Sequence, residues 1–89
     1  MMNSPFVRGM AEKLAKRVRP DSEKALEQVI DDAFELSLSR QPSEDERQRM
    51  LEFIVSQAKS YGGAPAATDL AVTDYCQLML SLSEFMFVD

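Results

Sequence analysis

Leu38-Ser39-Arg40-Gln41-Pro42-Ser43-Glu44-Asp45-Glu46-Arg47 decides the fold, because it ends one amphipathic helix and starts another within about a turn of chain. Pro42 has no N–H and pushes Gln41 out of the helical region, so a helix arriving from the N-terminal side stops near Arg40. Ser43 then stands at an N-cap position, and Glu46, three residues on, completes an S-x-x-E capping box. Glu44, Asp45 and Glu46 put negative charge in the first turn, where the helix dipole favours it. Replacing the cap, Ser43→Ala, should cost about 0.5–2 kcal/mol.

Working outward, the pattern predicts helices on both sides. Before the corner, Asp21 or Ser22 is the expected cap of a helix whose apolar set is Ala25, Leu26, Val29, Ile30, Ala33, Phe34, Leu36 and Leu38. Its other face carries Glu23, Glu27, Asp31 and Glu35. A straight helix sets such carboxylates in a line about 6 Å apart, and they do not converge on a metal or a substrate. They read as a solvated face or one turned toward a basic neighbour. After the corner, a helix from about Glu44 to Tyr61 shows Met50, Leu51, Ile54, Ala58 and Tyr61 in its stripe, widened by Phe53 and Val55. Gly62-Gly63 ends it, since glycine takes the left-handed conformation readily.

Two more helices complete the chain. Ser4 is the expected cap of the first and Pro5 suits its first position. Phe6, Val7, Met10, Leu14 and Val18 recur at helical spacing, with Ala11 and Ala15 on the flank and Arg8, Glu12 and Lys16 on the opposite face. Pro20 closes it. Gly62 to Ala67 reads as a loop, with Thr68 or Asp69 capping a last helix. Leu70, Ala71, Val72, Tyr75, Cys76, Leu78, Met79, Leu80 and Leu82 leave that helix few polar positions, so it should be the most buried. The expected fold class is all-α, a small bundle of four helices joined by short loops, in a single domain over residues 1–89.

Composition narrows the function classes. The net charge of −5 argues against a nucleic-acid binder acting through bulk charge. Residues 1–20 nevertheless hold Arg8, Lys13, Lys16, Arg17 and Arg19 against Glu12, a net +4, and the rest of the chain carries −9. There is no histidine, the commonest general base and metal ligand. The single cysteine, Cys76, forms no internal disulfide and no C-x-x-C-H haem attachment, and reads as a small core residue. No apolar run reaches the length of a membrane span. Catalytic residues, cofactor and metal ligands are accordingly expected to be none.

Four stretches then carry a family likeness. Met2-Asn3-Ser4-Pro5-Phe6-Val7, the basic alanine-containing segment through Ala11, Leu14, Ala15 and Arg17-Val18, the corner Leu38 to Glu46, and Leu82-Ser83-Glu84-Phe85-Met86-Phe87-Val88-Asp89 stand in the order found at the C-terminal end of a PSD-type domain of unknown function. The chain resembles that family, known from large planctomycete proteins that often carry a cytochrome-c-like region at their other end. The resemblance implies a C-terminal piece of a longer, exported protein, with an extracytoplasmic location, and places any haem outside this segment. Ser39 stands where the family pattern has glycine, and Ser83 where it has asparagine.

Through the likeness Arg40 and Glu84 are singled out as polar positions. With Pro42, Ser43 and Glu46 at the corner, and Phe85 and Phe87 at the apolar end, they form the candidate structural and interaction set. The first expectation for function is a non-enzymatic packing or interaction module that touches the upstream part of its parent chain or a second copy through Phe6-Val7 and Phe85-Met86-Phe87. The alternatives are a fragment that lends residues such as Glu84 to an enzyme or redox site completed by the parent, and a small regulator that binds an anionic partner through Lys13, Lys16, Arg17 and Arg19.

Overall fold

A computed structural model describes the backbone of residues 5–87 and the side chains of residues 5–83. It contains α1 (Pro5–Val18), α2 (Leu26–Leu38), α3 (Glu44–Ser60) and α4 (Pro65–Phe87), and no strand among the described residues. The all-α four-helix fold is therefore as expected. The helix most apolar in sequence, α4, is the hub: it packs on each of the other three, whereas the backbones of α1 and α3 make no close approach to each other.

The core is built on α4 through Ala71, Val72, Tyr75, Cys76 and Met79. Val29, Ile30, Ala33 and Phe34 meet it from α2, Ile54 from α3, and Ala11, Ala15 and Val18 from α1. Tyr75 is fully buried, and its hydroxyl donates to the Ile30 carbonyl at 2.9 Å, so the one polar atom of that large side chain is satisfied inside the core.

Five expectations are corrected. On α1 the alanines, read as flank, form the centre of the buried face, while Phe6 is 75 % and Met10 42 % exposed. Small side chains let α1 approach α4 closely, and the bulky residues turn outward. Arg8, expected on the solvent face, reaches across to α4 instead. On α2, Asp21 does not cap the helix. Its Oδ1 accepts from the N–H of Glu23 at 2.9 Å in a separate turn, and the helix begins only at Leu26, with Ala25 at the cap and no side-chain cap bond. Leu36 is outward-facing as well. Finally, α4 starts at Pro65 and not at Thr68 or Asp69. Proline needs no donor at the first helical position and its φ is already set for a helix, so the loop closes early and Ala67 is buried.

The helix ends follow the local chemistry. The Gly62 N–H donates to the Lys59 carbonyl and the Gly63 N–H to that of Ala58, with φ of +85° and +69°, which closes α3 in a Schellman arrangement. Ser39 ends α2 at φ +59°, with its N–H on the Glu35 carbonyl. A serine there holds a left-handed conformation that glycine adopts at lower cost.

Candidate functional site

The corner brings four of the candidate residues together. Ser43 Oγ accepts from the Glu46 N–H at 3.1 Å, and Glu46 Oε1 accepts from the Ser43 N–H at 2.8 Å, completing the capping box. The Arg40 guanidinium donates through Nη1 and Nη2 to the two Glu46 oxygens at 2.9 Å each and lies 4.9 Å from the centre of the Phe34 ring. The Arg40 hydrogen bonds, then the Ser43 N–H, hold the Glu46 carboxyl far down, at about 2. Pairing with Glu46 also raises the Arg40 pKa. Pro42 is buried beneath. Next to it, Arg47 donates to Asp31 at 2.8 Å and to Glu44 at 2.6 Å, which ties the carboxylate row of α2 to the start of α3 and not to the basic helix α1. Both Glu46 oxygens are engaged in holding this turn. The side chains of Glu84, Phe85 and Phe87 lie outside the described residues.

A second junction escaped the sequence reading. Asp74, on α4, accepts from Arg8 of α1 at 2.7 Å and from Gln57 of α3 and Tyr61 at its C-terminal cap at 2.9 and 2.7 Å. Arg8 also donates to Gln77 at 3.0 Å. Three helices thus share one carboxylate. Burial pushes the Asp74 carboxyl up, but the bonds from Tyr61, Arg8 and Gln57 more than offset this, and its pKa lies below the usual range. The same contact raises the Tyr61 phenol. An acid flanked by the apolar run of α4 is the available signal, since such a charge must be matched by the neighbours it packs on.

The other end of α1 meets the start of α4. Arg19 pairs with Asp69 and donates to the Ser22 carbonyl at 3.0 Å. Its Nε is buried and has no hydrogen-bond partner among the described residues. A groove of about 590 Å³ opens here between Lys16, Arg19, Asp21, Asp69 and Leu70. Its charges alternate in sign and give no single-sign field for an ion. Because Arg8 reaches Asp74 and Gln77, and Arg19 reaches Asp69, α1 and α4 run antiparallel.

The chemistry available in the interior is limited. Cys76 is fully buried, and burial pushes its thiol up to about 12, so almost none is thiolate near neutrality. Burial raises the Tyr75 phenol too. Among the described residues no group of three or more acids and cysteines is placed to hold a metal ion, and no helix is long and apolar enough to cross a membrane. The outward face of α1 is different in kind: Phe6, Met10, Lys13 and Arg17 lie exposed along one line, at i, i+4, i+7 and i+11.

These features define a small all-α bundle domain with a polar corner and an uncovered amphipathic helix face. The chain belongs to the PSD1 family, described as "Protein of unknown function (DUF1553)", whose model matches residues 1–54. The match takes in α1, α2, the corner and the first two-thirds of α3. No curated protein and no solved structure matches the chain.

Proposed function

We propose that this domain is a non-enzymatic packing and interaction module of a larger exported protein, and that its contact surface is the outward face of α1. The observation that carries the reading is Phe6, which is 75 % exposed on a helix whose inner face is already satisfied by Ala11, Ala15 and Val18. Met10 continues the face at 42 % exposure, and Lys13 and Arg17 border it. Exposed phenylalanine, methionine and arginine side chains are those that protein interfaces favour over plain surface. The corner and the Asp74 junction fit the same reading as parts that fix the bundle's shape, because their polar atoms are engaged within the fold.

The test is the double variant Phe6→Ser/Met10→Ser, followed by light scattering behind size exclusion, both alone and within the longer protein. The variant is expected to keep its helicity and to lose association with a second copy or with the rest of the parent. Unchanged association in both settings would refute the reading.

A further inference from the structure

The stripe on α1 has a geometric complement elsewhere on the same molecule. The outer face of α3 carries a shallow groove of about 330 Å³, lined by Gln48, Leu51, Glu52, Val55, Ser56 and Lys59. Leu51 is half-buried and Val55 43 % exposed, so the floor is apolar. The same face bears Asp45 in the first turn of α3 and Glu52 at its middle, both exposed. α1 therefore offers an apolar half followed by a cationic half, and α3 an acidic start at Asp45 followed by Leu51 and Val55 with Glu52 between them.

We infer that a second copy of this chain covers the stripe: Phe6 and Met10 of one molecule seat over Leu51 and Val55 of another, with Lys13 and Arg17 meeting Glu52 and Asp45. This rests on the proposed interaction reading and names its partner. The lengths agree, since Phe6 to Arg17 spans about 16 Å and Asp45 to Val55 about 15 Å at the helical rise. The direction is fixed as well. An antiparallel crossing that sets Phe6 over Val55 puts Met10 over Leu51, Lys13 between Glu52 and Asp45 and Arg17 beside Asp45, whereas a parallel one that keeps Phe6 and Met10 over Leu51 and Val55 sets Lys13 and Arg17 beyond them, around Lys59. Asp45 already pairs with Arg49 at 2.9 Å, but both side chains are more than 70 % exposed, and such a surface pair exchanges at little cost.

Charge selects this occupant over others. The molecule carries −5 overall, and everything beyond residue 20 carries −9, so an anionic membrane or a nucleic acid would meet repulsion around the basic helix. A second copy supplies the acids instead. Because the contact pairs two different surfaces of the molecule, it closes as a two-fold dimer or a ring, or extends with concentration.

Sedimentation velocity on the whole chain tests this at low and high salt. Wild type should form species heavier than 10.0 kDa, weakening as salt is raised. Lys13→Glu/Arg17→Glu should weaken association by about tenfold or more. Adding Asp45→Lys/Glu52→Lys to the same chain should restore it. A wild type monomeric up to millimolar concentration overturns the inference, as does binding to phosphatidylglycerol vesicles in place of self-association. Association that Phe6→Ser abolishes but the charge swap leaves untouched overturns this register while the interaction reading stands. Circular dichroism on each variant separates loss of contact from loss of fold.

Discussion

Ser39→Gly should stabilise the protein, against the ordinary expectation that glycine weakens a helical chain. Ser39 sits at φ +59° and ψ +29°, exposed, with its N–H closing α2 on the Glu35 carbonyl. A residue with a Cβ loses about 1–2 kcal/mol in the left-handed region. Glycine removes that strain but enlarges the freedom of the unfolded chain, a loss of about 0.4–1 kcal/mol. The difference leaves a net gain of about 0.5–1 kcal/mol. For a domain of this size that corresponds to a rise in Tm of about 2–8 °C. Urea unfolding followed by circular dichroism should show a higher midpoint at unchanged slope. Gln48→Gly, in the exposed interior of α3, is the control and should lose about 0.5–1 kcal/mol. Equal destabilisation by both variants would refute the left-handed assignment of Ser39 and the account of how α2 ends.

Further predictions follow from the buried polar groups and the corner. Tyr75→Phe should lose about 1 kcal/mol in the same assay, since the Ile30 carbonyl forfeits a buried donor while keeping its place in the helix. Cys76 should resist alkylation in the folded protein and react at the rate of unfolding, because its thiol is buried with a pKa near 12. Stability should fall in acid: Glu46 and Asp74 both have folded pKa values below those of the unfolded chain, so their contribution is complete above the ordinary carboxylate range. It is lost as pH drops toward about 2 for Glu46. Glu46 is more than a third exposed, so its share should shrink in high salt, and urea midpoints at several pH values with and without salt check both points.

The parts legible in the sequence were those set by neighbours in the chain. Ser43 and Glu46 lie three residues apart, and Gly62-Gly63 follow an apolar stripe, so local chemistry alone predicts the corner and the end of α3. The starts of α2 and α4 were misplaced because Asp21 has two possible uses, a helix cap or an isolated turn, and because Pro65 was read as loop when it opens a helix. The inner face of α1 was misjudged for a tertiary reason. Side-chain size marks Phe6 and Met10 as core, but close packing on α4 selects Ala11 and Ala15. The Asp74 junction joins residues up to 66 positions apart, and no local pattern encodes which donors will reach it.

Photo-crosslinking from the outward face of α1 most directly tests the claim that protein covers it. A benzoylphenylalanine is placed at position 6, with the exposed Glu23 position as control, in cells that make the protein. The account predicts adducts of discrete mass from position 6, among them one at twice the mass of the expressed chain, and none from position 23. Equal, diffuse labelling from both positions would mean that Phe6 faces solvent and that the face is not an interface.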